Sequence, residues 1–273
     1  MSLSCFFKFN KKGAKACPEQ KPSETPKVFP LFTTQITVPY YDVGFDFELT
    51  PAAVLHYAEN AAAGHCAAIG KPIPLLLEEG FIWMLARGQM EMKRYPRYGE
   101  TITIETWLSE RSAVHAWREY HIIDSTGTLI GYCRGDWVFI DIKKRRPCRI
   151  IDAFIQGWPL NQVKALDRPM SKQLQEHEEF EFKMEFMVRR GDIDTNRHVN
   201  NVRYLEWATE AIPQQWYESK KLTYIEGNFV QETGYGHTVV SAVTPYDKGF
   251  IHVVSDKEAG IALANAISEW NDR

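Results

Sequence analysis

The sequence predicts an α+β chain that builds one unit twice, each unit a strand, a polar loop, one long helix and an antiparallel meander wrapped around that helix. Three observations predict it. Residues 34–60 repeat at 184–210 without a gap. Each copy opens on period-two alternation that passes into helical spacing. After each helix the pattern returns to short alternating runs parted by turn residues.

The repeat is legible residue by residue. "TQITVPYYDVGFDFELTPAAVLHYAEN" lies over "MEFMVRRGDIDTNRHVNNVRYLEWATE" at an offset of 150 positions, with Val38 on Val188, Asp42 on Asp192, Leu55 on Leu205, Tyr57 on Trp207 and Ala58 on Ala208. Further on, "YGETITI" (98–104) matches "YGHTVVS" (235–241) at an offset of 137.

Taken in order, the first 30 residues hold six lysines and two glutamates, and Pro18, Pro22, Pro26 and Pro30 break any long element, so residues 1–30 read as a flexible arm. Organellar targeting segments are rich in arginine, and this stretch has none. In the first copy Thr50 and Pro51 read as an N-cap followed by proline at the first helical position. The helix after them is rich in alanine, whose small side chains let a sheet approach closely, and it is expected to end near Gly70. Only strands are expected beyond it: alternation from Met84 to Lys93, then "TITIETWL", "VHAWREYHII" and "LIGYCRGDWVFIDI", the last two joined by the turn "DSTG". A linker is expected over residues 146–178. In the second copy Phe182, Met184, Phe186 and Val188 share a strand face, and Asn200 or Asn201 caps a helix whose apolar stripe is Val202, Leu205, Ala208 and Ile212. Pro213 ends or bends that helix. "GNFVQE", "TVVSAV", "FIHVVS" and "ALANAISEW" follow as strands. One strand, one central helix and a meander, once over residues 31–145 and again over 179–273, is the tandem or double hotdog pattern.

Composition narrows the function. The chain has 273 residues, 44% hydrophobic and 25% charged, with a formal net charge of -3, so it can bury a sizeable core but lacks the concentrated basic surface of a nucleic-acid binder. No run approaches the roughly 18 apolar residues that span a bilayer. Cys5, Cys17, Cys66, Cys133 and Cys148 are scattered and form no C-x-x-C pair, which supports neither a disulfide framework nor a zinc site and fits a reducing cytoplasm. Nothing in the chain calls for a cofactor.

The copies differ at the loop before the helix. Where the second has Asp194, Asn196 and His198, the first has Gly44, Asp46 and Glu48, so one copy is expected to work and the other to hold something apolar. A carboxylate, an amide and an imidazole sit just ahead of a helix N-terminus, whose free N–H groups stabilise an oxyanion while the side chains position water or move protons. That favours acyl transfer to water. The loop offers no serine or cysteine nucleophile. Asp192 is expected to be a turn or capping residue, because the idle copy retains it as Asp42.

The stretch "GDIDTNRHVNNVRYLEW" resembles the signature of the acyl-ACP thioesterase family, and "FIWMLARGQMEMKRYPRYGETITIETWLSE" and "DWVFIDIKKRRP" resemble the same family, in order, over roughly residues 34–245. The resemblance implies a double hotdog fold, hydrolysis of fatty acyl chains from acyl carrier protein, and a site made of Asp194, Asn196, His198 and an acid in a later strand, Glu232. Plant members carry a cysteine after that acid, where this chain has Thr233, so carboxylate chemistry is implied here in place of a Cys-His mechanism. Glu232 or Asp194 would activate water or attack the thioester, with Asn196 orienting the carbonyl or a carboxylate and His198 orienting a carboxylate or protonating the thiolate.

Two other readings rank lower. Hotdog hydratases resemble one another in a D-x-N-P-x-H loop, whereas here the spacing from Asp194 to His198 is one shorter and no proline follows Asn196. A silent acyl-binding protein would have no use for the intact Asp/Asn/His set. For the carrier, acidic acyl carrier protein is the expected partner, with Lys143, Lys144, Arg145, Arg146 and Arg149, or else Lys93, Arg94 and Arg97, as the docking surface; acyl-CoA would suit the same charges. A tandem chain serves as a monomer or a homodimer.

Overall fold

The computed structural model describes residues 30–170, 179–195 and 197–273. The arm expected over residues 1–30 lies, Pro30 apart, outside them, as do residues 171–178 of the expected linker. In chain order the elements are β1 (Phe32–Thr37), α1 (Pro51–Ala68), α2 (Ile73–Glu79), β2 (Phe81–Met92), β3 (Thr101–Arg111), β4 (His115–Ile123), β5 (Leu129–Asp141), β6 (Arg146–Pro147) and α3 (Asp152–Gly157). The second half follows with β7 (Phe182–Met187), α4 (Asn201–Glu210), α5 (Gln214–Ser219), β8 (Lys220–Phe229), β9 (Thr238–Tyr246), β10 (Gly249–Asp256) and β11 (Ile261–Asp272).

The strands form one antiparallel sheet in the order β1-β3-β4-β5-β2-β8-β11-β10-β9-β7, with β6 paired to β5. Read outward from its middle, each half has the same sequence of strands. The halves join where β2 pairs with β8, from Arg87 opposite Asn228 to Glu91 opposite Tyr224. Gln89 and Glu226 face each other there, both buried. Gln89 Nε2 donates to Glu226 Oε2 at 3.2 Å and to the Tyr224 hydroxyl at 2.9 Å, which in turn donates to Glu226 at 2.7 Å. Helices α1 and α4 lie against one another on one face of the sheet, and the same apolar cluster gathers Val54, Ala58 and Ala61 of α1 with Leu205, Trp207 and Ala208 of α4.

The 150-residue offset holds in the backbone. β1 and β7 start at Phe32 and Phe182, short 3-10 turns occupy Tyr40–Asp42 and Arg190–Asp192, and the helices start at Pro51 and Asn201. Thr50 caps α1 by accepting from the Ala53 amide, and Asn200 caps α4 by accepting from the Val202 amide at 2.7 Å. Gly99 and Gly236, one per half, take up the same left-handed conformation ahead of β3 and β9.

Three expectations are corrected. Strands alone do not follow the long helices: α2 runs into β2 with Gly80 as a left-handed C-cap, and α5 is set off from α4 by Pro213 as its N-cap. In both, proline permits a short helix where a longer one could not continue. β8 begins at Lys220, not at Gly227, because its charged start is held by pairing with β11 and not by apolar alternation. Glu232 stands beyond β8 rather than in a strand, since the Val230 and Gln231 amides both turn to the Leu263 carbonyl and leave the ladder. Between the halves, residues 158–168 cross the outer face of the sheet, where Trp107 donates to the Val163 carbonyl and the Ala165 amide to buried Glu119. Among the described residues no helix is long and apolar enough to cross a membrane.

Because Asn200 supplies the cap that starts α4, Asn200→Ala is expected to cost about 1 kcal/mol of stability, read as a lower urea midpoint; an unchanged midpoint would show that the first turn draws nothing from its cap.

Candidate active site

The loop from Asp192 to Asn200 is a closed turn. Ile193 bridges Val199, the Asp194 amide donates to the His198 carbonyl at 2.9 Å, and the Arg197 amide donates to the Asp194 carbonyl at 3.1 Å. The first-half loop repeats each contact: Val43 bridges Leu49, the Gly44 amide donates to Glu48 and the Phe47 amide to Gly44. Arg197 and Phe47 even share a left-handed φ, near 65° and 59°. The strained backbone therefore belongs to the repeat, and among the described residues the side chains are what chiefly distinguish the two loops.

Asp192 is structural. Buried at the end of its 3-10 turn, it accepts from the Arg189 amide at 2.7 Å and from the Arg189 guanidinium at 3.2 Å. Asp194 Oδ1 receives the His198 amide at 3.4 Å, so this carboxylate closes the loop that presents the imidazole. Asn196 lies outside the described residues. His198 Nδ1 stands 3.0 Å from Glu232 Oε2, with the two side chains 46% and 39% exposed, so the pair is open to an incoming substrate. The structure thus brings His198 to Glu232 across a gap of 34 residues and keeps Asp194 on the same loop.

Thr233 is engaged elsewhere. Its amide donates to the Tyr204 hydroxyl at 3.0 Å and its buried hydroxyl to Asp256, which also meets His237 Nδ1 at 2.7 Å. Here the carboxylate stands between hydroxyl and imidazole, so the histidine cannot take the threonine proton as it does in a Ser-His-Asp triad. Tyr204, in the first turns of α4, has its phenol pushed up to about 12 by burial, with the Thr233 amide opposing and the charges of Glu232 and Asp194 adding to the rise.

Sequence reasoning missed Glu59. This residue of α1 accepts from Asn200 Nδ2 at 3.3 Å, which ties the first helix to the cap of the second. Burial raises its carboxyl to about 7, with the negative charge of Asp194 adding and the Asn200 bond opposing. An acid four residues after Leu55 and one after Ala58, inside an alanine-rich stripe, was the available signal.

Beside these residues a narrow cavity of about 40 Å³ is lined by Leu55, Ala58, Tyr120 and Trp137 of the first half and by Leu205 and Phe229 of the second, with Glu59 and Asn201 also on its wall. Its wall is almost wholly apolar, but its free space is enough for a few waters only, so an acyl chain has to widen it to enter. Met90 lines it, while Met84 is exposed.

The basic residues separate into two groups. Arg94 is taken by Glu100 and Asp124, and Arg97 by Glu48 at 3.9 Å. In the turn after β5, Lys144 pairs with Asp141, and Arg145 reaches across the halves to donate to Glu232 Oε1 at 2.7 Å. Lys143, Arg146 and Arg149 are exposed around it. In the first-half loop the acids are locked: Lys221 meets Asp46 at 2.7 Å and Glu48 at 2.8 Å, and Arg273 also donates to Asp46. Burial opposes ionisation of Asp46, yet the bonds from Lys221 and Arg273 hold its carboxyl down at about 2.

One antiparallel sheet with few helices, carrying an imidazole-carboxylate pair near the start of α4, is consistent with the hotdog fold. The acyl-ACP thioesterase N-terminal domain matches residues 30–158 and the acyl-ACP thioesterase C-terminal domain matches residues 175–272, so the chain belongs to the acyl-ACP thioesterase family. It is similar to the chloroplastic palmitoyl-acyl carrier protein thioesterase of Cuphea hookeriana, 25% identical over 265 residues that cover 89% of this chain and 63% of that one. It is similar also to the chloroplastic oleoyl-acyl carrier protein thioesterase 1 of Arabidopsis thaliana, 24% identical over 78% of this chain and 63% of the relative. The chain therefore spans a little under two thirds of the length of these curated relatives. Its fold is shared with an acyl-ACP thioesterase from Bacteroides thetaiotaomicron, at a TM-score of 0.79 and 22% identity over 89% of this chain and 98% of that one. The 12:0-ACP thioesterase from Umbellularia californica gives a TM-score of 0.78 and 22% identity over the same shares of the two chains.

Glu59 sets a pH dependence. Its ordinary value is 4.5 and its folded value about 7, so between these the folded state keeps a proton that the unfolded chain has lost, and stability falls as pH rises through that window. Glu59→Gln removes the effect. With 26% of the side chain exposed, the variant is expected to gain roughly 2 kcal/mol over the parent at pH 8 and little at pH 4. Urea titrations at both pH values measure it, and equal differences at the two would exclude the buried charge as the cause.

Proposed function

We propose that this protein hydrolyses the thioester of a fatty acyl chain carried on acyl carrier protein and releases the free fatty acid. The observation that carries this reading is the 3.0 Å contact of His198 with Glu232, with His198 three residues before α4, whose first residues Asn201 and Val202 line an apolar cavity. We further propose that the halves are tandem hotdog units over residues 31–145 and 179–273, joined by a linker over 146–178. The first unit holds the acyl chain along α1, and the second does the chemistry.

In this mechanism Glu232 takes a proton from water as the water oxygen attacks the thioester carbon. The oxyanion that forms is met by the Asn201 amide at the start of α4, the Val202 and Arg203 amides being taken up by Asn200. When the C–S bond breaks, the thiolate takes a proton from the imidazole of His198, and the exposed pair exchanges protons with solvent to reset. Asp194 shapes the loop and lies on the same side as Glu59, and Asn196 orients the carbonyl. Support for hydrolysis over a bound but unreacting acyl chain comes from the contrast between the loops: Lys221 and Arg273 together lock Asp46 in the first, whereas His198 of the second meets Glu232 on one oxygen and a single exposed arginine meets it on the other.

Thiol release from acyl carrier protein and CoA thioesters of graded chain length tests the activity. Glu232→Ala and Asp194→Ala are each expected to lower kcat by about 100-fold or more while the acyl chain still binds; parental turnover in both would overturn the assignment. Lys143, Arg146 and Arg149 are proposed to receive the acidic carrier together with Lys144 and Arg145. Reversing the charge of Lys143, Arg146 and Arg149 should raise KM for acyl carrier protein about tenfold at low salt and much less at 0.5 M salt, and an unchanged KM would remove that surface.

A further inference from the structure

Glu232 has a second partner that the mechanism does not use. While Oε2 faces His198, Oε1 accepts from Arg145 at 2.7 Å. Arg145 comes from the other half of the chain, in the turn between β5 and β6, and is 78% exposed. Its backbone is left-handed, with φ near 50°, a conformation that disfavours a residue with a Cβ and that persists where the surroundings demand it. Exposed ion pairs of this kind are weak, because water competes for both partners. A guanidinium is also better matched to the oxygens of a phosphate, which it can grip through two parallel bonds. Lys143, Arg146 and Arg149, exposed on the same turn and its continuation, add attraction for such a group. The idle loop shows the alternative arrangement: Asp46 is held by Arg273 and by Lys221 together, so loss of either cation leaves the other in place. Among the described residues, Arg145 is the one arginine or lysine within ion-pair distance of Glu232.

We propose that Arg145 makes turnover conditional on a phosphate in the substrate's arm: it covers one oxygen of Glu232 in the empty site and passes to the phosphate of a phosphopantetheine thioester when that substrate docks, opening the carboxylate to water. Phosphopantetheine is common to acyl carrier protein and CoA, so the device selects the arm and not the carrier. The proposal rests on the reading of Glu232 as the base that activates water.

The test compares four dodecanoyl thioesters at saturation: on acyl carrier protein, on CoA, on 4′-phosphopantetheine and on pantetheine, which lacks the phosphate. In the parent protein the pantetheine ester is expected to turn over with kcat about fivefold below the phosphopantetheine ester. Arg145→Gln is expected to close that gap by raising kcat for the pantetheine ester, while raising KM for the three phosphorylated substrates. Arg146→Gln should raise KM for those three and leave the kcat ratio as in the parent. Equal kcat for the two small esters in the parent protein would overturn the proposal. So would an Arg145→Gln variant that loses kcat equally on both, or a gain confined to CoA, which would point to its nucleotide phosphates. Glu232→Ala separates the two readings. If it abolishes thiol release while Arg145→Gln leaves the ratio unmoved, the hydrolase stands and the gate falls; if it leaves thiol release intact, the base itself is misassigned.

Discussion

The site depends on one junction, the antiparallel pairing of β2 with β8. Backbone bonding along these strands makes one sheet of two repeats, and at its centre buried Gln89 Nε2, Glu226 Oε2 and the Tyr224 hydroxyl bond to one another. Leaving any of these groups without a partner at such a place would cost more than the bonds themselves contribute. The junction sets α1 beside α4, and from that contact come the shared cavity, the bond from Asn200 to Glu59, and the reach of Arg145 into the second half.

The described residues of the two loops before those helices make matching backbone contacts and carry different side-chain partners. Left-handed Phe47 and Arg197, matching bridges and matching amide bonds describe a turn that both copies retain. In the first, lysine and arginine neutralise Asp46 and Glu48; in the second, the imidazole of His198 and the exposed Arg145 share Glu232. A repeat of this kind lets one copy keep its fold while its polar groups become part of the structure, and leaves the other free for chemistry. The carboxyl of Glu59 belongs to the first copy and yet feels the charge of the second, which is why burial and Asp194 together hold it protonated to higher pH than a free acid.

Thr233 illustrates how neighbouring positions part company. It follows the proposed base directly, but its amide and hydroxyl are spent on Tyr204 and Asp256, and the chain at that point has already left the ladder of β8. The same irregular segment that frees Glu232 from the sheet allows it to face the loop of His198. A strand residue would have pointed along the sheet normal, either into the core or into the crossing linker.

Much was legible in the sequence. The 150-residue offset located both first strands, both polar loops and both helix starts, because period-two alternation, capping residues and the apolar stripe of a helix are local consequences of backbone geometry. It also separated Asp192, duplicated and structural, from Asp194 and His198, which occur once. Short helices α2 and α5 and the early start of β8 escaped it, since they owe their form to proline boundaries and to pairing with distant strands. Only the tertiary structure decided that Arg145 meets Glu232, that Glu59 of one half faces the cap of the other, and that the acids of the first loop are neutralised by Lys221 and Arg273. Each of these contacts joins residues more than 80 positions apart, and their meeting is fixed by strand order and register across the β2–β8 junction, which no local pattern encodes.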